Sequence, residues 1–117
     1  MPTLADVGGA TIPKNIDGIS FLPALLGQDD QKQHEYLYWE FHEQGGKQAV
    51  RQGKWKAVKL QVFGSENPKI ELYDLSVDIG EENNIATENP EKVKELEGLM
   101  NSSHTSNPVF RLLPSKI

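Results

Sequence analysis

The stretch from residue 36 to residue 60 constrains the fold most, because its hydrophobic pattern has the period of a β-strand. Side chains in its first part alternate between two sides of an extended chain. One side carries Leu37, Trp39 and Phe41, and the other carries Tyr36, Tyr38, Glu40 and His42. Two turns, Gly45-Gly46 and Gln52-Gly53, offer the positive φ angles that tight hairpins need. The stretch therefore predicts three antiparallel strands, with the first of the two sides as the apolar face of the sheet.

A fourth strand and a helix are predicted after this stretch. Residues 69–75 alternate again as a short strand. Asn89, Pro90 and Glu91 then form a helix start, with a capping side chain, a proline at the first position and an acid near the positive end of the dipole. The helix runs to about residue 102, and its apolar face comprises Val93, Leu96, Leu99 and Met100. The predicted fold class is α+β, a four-stranded antiparallel sheet whose apolar face packs against the C-terminal helix.

Short helical segments precede the predicted sheet. Residues 1–9 suit about two helical turns that end at Gly8-Gly9, and residues 20–27 form a second short helix. Phe21, Leu25 and Leu26 make this second segment more apolar than a free surface arm should be. We therefore divide the chain into an N-terminal arm, residues 1–34, and a C-terminal subdomain, residues 35–117.

Composition excludes several classes of protein. The net charge of −5 disfavours nucleic acid as a partner. No apolar run is long enough to span a bilayer, and the sequence carries no secretion signal. Because cysteine is absent, the chain has no disulfide, no thiolate zinc site and no thiol nucleophile. None of this fixes the compartment, so the localisation stays open.

Few residues of the chain could carry out a reaction. The three histidines do not share a spacing that would place two of them on one metal ion. We interpret His34 and His104 as solvated polar residues. The acidic segment 78–82 lacks the ligand spacing of a calcium loop, and a solvated turn is the better interpretation there. We therefore assign no catalytic residue and no metal ligand to this chain.

Candidate binding residues lie in and after the first hairpin. His42 and Glu43 occupy a glycine-bounded loop, where binding residues often lie, although an ordinary hairpin tip explains them as well. The cations that follow are Lys47, Arg51, Lys54, Lys56 and Lys59. They could bind sulfate, phosphate or carboxylate groups, and the alternative is a solvated face of the sheet. Alternation places Arg51 on the same side as Lys47 and Ala49.

Four segments of the chain carry motifs in a consistent order. Residues 1–9 are similar to Pro-Thr-Leu-x-Asp-x-Ala-Gly, and residues 17–27 match Asp-Gly-x-Ser-x-x-Pro-x-Leu-x-Gly. Residues 49–56 match Ala-Val-Arg-x-Gly-x-Trp-Lys, and residues 72–84 are similar to Leu-Tyr-Asp-Leu-x-x-Asp-Pro-x-Glu-x-x-Asn. By these motifs the chain resembles the C-terminal part of the sulfatases, the arylsulfatase family of the alkaline-phosphatase-like superfamily. The resemblance covers nearly all of the chain and departs at Ile79-Gly80, where the family usually has Pro-Gly.

The resemblance implies that the chain is a subdomain of a larger enzyme and is inactive alone. The family's catalytic centre uses a Cys or Ser in Cys/Ser-x-Pro-x-Arg, matured to formylglycine, and a calcium ion held by carboxylates and an asparagine. This chain has no cysteine, and its nearest serine segment, residues 106–110, ends in Phe110 where the motif needs arginine. Calcium and formylglycine are therefore expected in the parent enzyme, upstream of Met1, and no cofactor is expected in this piece.

The resemblance also implies partners and a site. The partners are an N-terminal catalytic domain, to which residues 1–34 would link, and a sulfated carbohydrate. The parent would be periplasmic or secreted. The implied substrate-binding residues, at the rim of the substrate cleft, are His42, Glu43, Lys47 and Arg51. Two alternatives remain open: a free-standing module that binds sulfated carbohydrate or another anion, and a structural or oligomerisation domain that uses the apolar residues 21–26.

Overall fold

The computed structural model describes residues 1–112, and it has the predicted α+β architecture. The elements in chain order are α1 (Pro2–Val7), α2 (Leu22–Leu25), β1 (Leu37–Phe41), β2 (Lys47–Gln52), β3 (Trp55–Leu60), β4 (Ile70–Asp74) and α3 (Pro90–Ser103). The chain divides into two compact units, Met1–His34 and Glu35–Ile117. The four strands and α3 belong to the second unit, so the sheet and its helix are confirmed.

The sheet is an antiparallel meander in which each strand pairs with the next in sequence, in the order β1-β2-β3-β4. The predicted glycine turns connect the strands. Gly45, Gly46 and Gly53 have φ angles of 88°, 76° and 57°. Residues that carry a Cβ atom rarely adopt such angles. Gly46 also lies so close to Phe63 that a Cβ atom there would come within 2.9 Å of the Phe63 ring. These turns fix which residues of neighbouring strands lie opposite each other.

The hydrophobic core lies between α3 and one face of the sheet, which we call the inner face. Val50, Ala57 and Leu72 lie on adjacent strands in register and point to this face. They pack against Leu96 and Met100 of α3, and all five residues are 0% exposed. Burial of a Val, Leu or Met side chain is worth about 1.5–3 kcal/mol, so this layer contributes strongly to the stability of the unit.

The prediction that Leu37, Trp39 and Phe41 form the face under the helix was wrong. They lie on the opposite face, which we call the outer face, and Trp39 and Phe41 remain 48% and 47% exposed. The reason is register. Tyr38 lies opposite the core residue Val50, so Tyr38 and its neighbours of the same parity point to α3. The alternation was read correctly, but β1 alone does not reveal which of its sides joins the core.

Helix α3 begins at the predicted residue and packs as predicted, but the expected side-chain cap is absent. Asn89 stands at the cap position and Pro90 in the first turn, yet Asn89 Oδ1 accepts no hydrogen bond from the helix, and its Nδ2 donates to the Ile85 carbonyl at 3.1 Å. The apolar face of α3 contacts the core, and the Nζ of buried Lys59 on β3 lies 2.7 Å from Glu97 Oε1 on α3. An ion pair thus accompanies the apolar contact between helix and sheet.

The acidic loop between β4 and α3 is held by its own side chains. The Asp78 carboxylate accepts hydrogen bonds from the backbone N–H groups of Glu82 and Asn83 at 3.0 and 2.9 Å. Asn84 Oδ1 accepts from the N–H of Leu72 at 3.1 Å, which ties the loop to β4. Both carboxylate oxygens of Asp78 are therefore engaged by backbone donors, as expected of a structural turn.

The first unit, residues 1–34, is held by polar contacts more than by an apolar core. The Ser20 hydroxyl donates to Asp6 Oδ2 at 2.7 Å, and the Phe21 N–H donates to Thr3 Oγ1 at 3.1 Å. Gln31 donates to the Ser20 carbonyl at 2.9 Å and accepts from the Ala24 N–H at 3.1 Å. Large apolar side chains stay exposed here, among them Leu4, Phe21, Leu25 and Leu26. None of the helices within residues 1–112 is both long and apolar enough to cross a membrane.

Candidate functional site

The structure divides the four predicted binding residues between two places. His42 follows β1, and its Nε2 lies 3.6 Å from Glu40 Oε2, on the inner-face side. Lys47 and Arg51 both lie on the outer face, as alternation predicts, because they pair with Phe41 and Leu37. Glu43 is exposed in the loop, and its carbonyl accepts from the Gly46 N–H at 3.1 Å. Arg51 is four residues beyond Lys47, roughly 13 Å along the strand, so the four side chains do not form one pocket.

The loop of residues 42–47 has a well-defined shape. Its backbone is tied to the segment after β3, since Val62 and Phe63 donate to the carbonyls of Gly46 and Gly45 at 3.1 and 2.8 Å. Lys47 Nζ donates to Gln44 Oε1 at 2.9 Å and lies 5.7 Å from the centre of the Phe41 ring. The loop therefore presents an imidazole, a carboxylate and an ammonium group at one end of the sheet.

A polar network that the sequence did not reveal surrounds Glu40. Tyr38 donates its hydroxyl proton to Glu40 Oε1 at 2.6 Å, and Gln48 Nε2 donates to the Tyr38 hydroxyl at 2.8 Å. His104 Nδ1 lies 2.6 Å from the same Glu40 oxygen. The interpretation of His104 as a solvated residue was wrong, because its side chain is only 13% exposed. The partners are 64 residues apart in sequence, and no local pattern predicts such a contact.

The surroundings of Glu40 favour the ionised form of its carboxyl group. Burial raises the pKa of the Glu40 carboxyl, but the hydrogen bonds with Tyr38 and His104 and the nearby imidazoles outweigh burial and lower it below the ordinary value. The pKa of Tyr38 is raised, first by burial and then by its bond to Glu40. Next to this network, Ser103 donates to the Tyr36 hydroxyl at 3.0 Å. The network thus joins the C-terminal end of α3 to the edge strand β1.

The outer face contains an open cavity of about 370 Å³. Residues that line it include Trp39, Ala49, Arg51, Lys56, Ile79 and Glu81. Lys56 and Glu81 form an ion pair, while the Arg51 Nε donates to the Gly53 carbonyl at 3.3 Å. Burial, followed by the neighbouring Glu71, raises the pKa of Tyr73 on this face to about 12. The cavity is thus an apolar floor with one guanidinium group that no carboxylate within residues 1–112 neutralises.

Neither place contains the parts of a hydrolytic centre. Within residues 1–112 no group of three or more His, Cys, Asp or Glu side chains is arranged to hold a metal ion. The chain has no cysteine, and no serine stands in a Ser-x-Pro-x-Arg sequence, so the residues do not fit a formylglycine. We assign no catalytic step to them. What the two places can do is bind and orient, through cations, hydrogen-bond donors and exposed aromatic rings.

Comparison with known proteins gives the family. Residues 1–105 match the family described as N-sulphoglucosamine sulphohydrolase, C-terminal. The chain is 33% identical over 91 residues to Delta 4,5-hexuronate-2-O-sulfatase of Bacteroides thetaiotaomicron, covering 74% of this chain and 18% of that protein. It is 34% identical over 99 residues to mouse arylsulfatase K, covering 77% of this chain and 18% of the relative.

The fold gives the same assignment. The solved structure of a 2-O GAG sulfatase superimposes with a TM-score of 0.72 and 30% identity, over 86% of this chain and 22% of that one. The chain thus spans about a fifth of the length of the relatives it matches. The chain belongs to the sulfatases, in the family of the N-sulphoglucosamine sulphohydrolase C-terminal domain.

Proposed function

We propose that this chain is the C-terminal domain of a sulfuric ester hydrolase, that it completes the fold of that enzyme, and that it does not catalyse the reaction alone. The observation that carries the proposal is the family match over residues 1–105, in a chain without a Cys/Ser-x-Pro-x-Arg motif. The catalytic domain, with its formylglycine and calcium, then lies in the part of the enzyme that the relatives have in addition.

The proposed substrate is a sulfated carbohydrate. Two of the matched relatives are named for sulfate on a hexuronate or on N-acetylgalactosamine, which supports this class. The loop of residues 42–47 forms the rim of the cleft in this proposal. His42 Nε2 is buried 3.6 Å from Glu40 Oε2, so only the rest of the partly exposed imidazole could face a ligand, while Lys47 supplies a cation for a sulfate or carboxylate group. Glu43 is exposed beside them and could accept bonds from sugar hydroxyls.

Arg51 has a different place in the proposal. It lies on the outer face of the sheet, roughly 13 Å along the strand from Lys47. A ligand that contacts the loop would have to span that distance to reach the guanidinium group. We therefore propose His42, Glu43 and Lys47 as the substrate contacts of the loop, with Arg51 as a contact only for a ligand that extends over the outer face.

Two measurements test the proposal. The first is the coding sequence upstream of Met1, which should contain Cys/Ser-x-Pro-x-Arg. The second compares the 117-residue chain with the full-length polypeptide on an aryl sulfate in calcium. We expect turnover from the long polypeptide and none above background from the chain alone. Turnover by the chain, or an upstream sequence without the motif, would contradict the proposal.

A free-standing sulfated-carbohydrate module is the second candidate. The observation that favours it is the exposed Trp39 ring beside Arg51 in the outer cavity, because a guanidinium group binds anions such as sulfate and an exposed aromatic ring offers apolar contact area to a ligand. Titration of the isolated chain with sulfated oligosaccharides separates the two. Saturable binding that is lost on Arg51→Ala supports the module, and a flat titration removes it.

A further inference from the structure

The segment of residues 103–110, which we call the C-terminal strap, follows α3 and runs back along β1. Three of its side chains contact the strand or its flanking residues: Ser103 with Tyr36 at 3.0 Å, His104 with Glu40 at 2.6 Å, and Phe110 with His42 at 5.7 Å between ring centres. The partners come in the same order along both segments. The strap therefore runs parallel to β1 and reaches the point where the loop of residues 42–47 begins.

The middle contact of the strap is fixed from the core side. Glu40 Oε1, which faces His104, also accepts the hydroxyl proton of Tyr38 at 2.6 Å. Tyr38 in turn accepts from Gln48 Nε2 at 2.8 Å, and Gln48 is only 1% exposed. A buried amide on β2 thus holds the carboxylate that receives the strap, so His104 is fastened to a rigid part of the sheet.

A turn in the strap directs Phe110 at His42. Asn107 Oδ1 accepts hydrogen bonds from the backbone N–H groups of Val109 and Phe110 at 2.8 and 3.1 Å, as asparagine side chains do in turns. The Phe110 ring then meets the His42 imidazole at an interplanar angle of 57°. Aromatic pairs prefer such tilted contacts, at about 4.5–7 Å between centres. This turn lies in residues 106–110, the segment that fails as a Ser-x-Pro-x-Arg motif.

The orientation of the His42 ring depends on this contact. On its other side, His42 Nε2 lies 3.6 Å from Glu40 Oε2, which is too long for a hydrogen bond. This nitrogen is buried and has no hydrogen-bond partner among residues 1–112. Because Nε2 does not fix the ring, the packing of Phe110 restricts its rotation.

We propose that the C-terminal strap positions the loop of residues 42–47 for substrate, with Phe110 as the positioning residue of His42. The inference rests on the proposed function, in which this loop contacts a sulfated carbohydrate. Phe110 acts through His42, so its loss leaves the imidazole to be ordered when substrate binds, which costs affinity. The reacting sulfate lies in another domain in this proposal. We therefore expect KM to rise and kcat to stay the same.

The first test needs no substrate. The imidazole proton resonances of His42 are measured by NMR in the 117-residue chain and assigned with His42→Gln. Phe110→Leu removes the aromatic ring current beside His42 and should shift these resonances. Because Phe110 is 61% exposed, the fold should survive. Asn107→Ala removes both bonds of the turn and should shift the resonances in the same direction.

Val109→Ala is the matched control for the NMR test, because Val109 precedes Phe110 and is 78% exposed. It should leave the His42 resonances in place, as should all three variants for His34, which precedes the sheet. If Phe110→Leu and Asn107→Ala both leave the His42 resonances unshifted, the strap does not hold the imidazole and the proposal is overturned.

The second test uses kinetics of the full-length polypeptide. The substrates are a Δ4,5-hexuronate 2-O-sulfate and an N-acetylgalactosamine 6-O-sulfate, the classes for which two relatives are named, and a small aryl sulfate. Phe110→Leu should raise KM for the sugar substrate about three- to tenfold, the range that one aromatic contact is worth. KM for the aryl sulfate and kcat for both should change less than about twofold. Phe110→Tyr keeps the ring and should retain the wild-type KM.

The outcomes separate this inference from the proposed function. An unchanged KM for the sugar in Phe110→Leu, or an equal loss of kcat on sugar and aryl sulfate, would overturn the positioning role and retain the sulfatase. Shifted His42 resonances in a polypeptide that hydrolyses no sulfate ester would reject the proposed function, and the substrate role of the strap with it.

Discussion

The inner and outer faces of the sheet both carry large apolar side chains, but among residues 35–112 a helix covers the inner face and none covers the outer face. On the inner side Leu72, Leu96 and Met100 are 0% exposed, whereas Trp39 on the outer side is about half exposed. Apolar area stabilises a fold only to the extent that folding removes it from water. The inner face therefore holds the domain together, while most of the apolar area of the outer face contributes only if a partner covers it.

The largest effect should come from the inner face. Leu96→Ala leaves a cavity in the fully buried layer between α3 and the sheet. It should lower the free energy of unfolding of the chain by about 2–5 kcal/mol, measured by urea denaturation. Leu96→Met conserves volume and should cost less than about 1.5 kcal/mol. If both variants unfold at the wild-type midpoint, the inner face is not the core.

The next largest effect on the free energy of unfolding is expected in the hairpin between β1 and β2, which sets the register of these strands. Gly46 has a φ angle of 76°, and a Cβ atom there would meet the Phe63 ring at 2.9 Å. Gly46→Ala should cost about 1–3 kcal/mol from backbone strain and should weaken the alignment that separates the two faces. Gly98→Ala is the control, because a Cβ atom at this helical site meets nothing within 4 Å. It should stabilise the chain by about 1 kcal/mol, and the opposite order of the two variants would contradict the structure.

The stability that Glu40 contributes, at the polar end of the inner face, should depend on pH. The pKa of Glu40 is lowered in the folded chain, as the bonds with Tyr38 and His104 outweigh burial. Its stabilising contribution is therefore present above the pKa of an unfolded glutamate, about 4.3, and is lost as the pH falls through the lower folded value. Glu40→Gln should cost about 1.5 kcal/mol at pH 7, and wild type and variant should converge in acid. If the difference in free energy of unfolding between wild type and Glu40→Gln stays the same from pH 7 to pH 3, the proposed pH dependence is refuted.

The smallest effect is expected on the outer face. Trp39→Ser removes a ring that is 48% exposed and that no helix among residues 35–112 covers. The free energy of unfolding of the 117-residue chain should change by less than about 1 kcal/mol. A loss as large as that of Leu96→Ala would show that the two faces do not differ as described.

Local features of the fold were predictable from sequence, and the pairing of distant parts was not. The glycines at 45, 46 and 53 and the apolar face of α3 follow from short-range stereochemistry and periodicity. Which side of β1 meets the helix depends on its register with Val50 and, through it, on Ala57 and Leu72. Three alternating apolar residues on β1 carry no information about that register.

The candidate site was predictable to a similar extent. Alternation correctly placed Arg51 with Lys47 and Ala49 on one side. The contact of Glu40 with His104 joins β1 to the residue after α3, and nothing in either segment identifies the other as its partner. The role of His42, Glu43, Lys47 and Arg51 in substrate binding stays a prediction.

The order of elements along the chain has a consequence for how the domain is made. The four strands form a meander of local hairpins, which can pair as soon as each strand leaves the ribosome. The helix that covers Val50, Ala57 and Leu72 follows them as Pro90–Ser103. During synthesis the apolar inner face therefore stays exposed to water and to other chains until α3 has left the ribosome. A ribosome that stalls between β4 and α3 leaves a sheet with both faces uncovered, the kind of intermediate that aggregates or recruits chaperones.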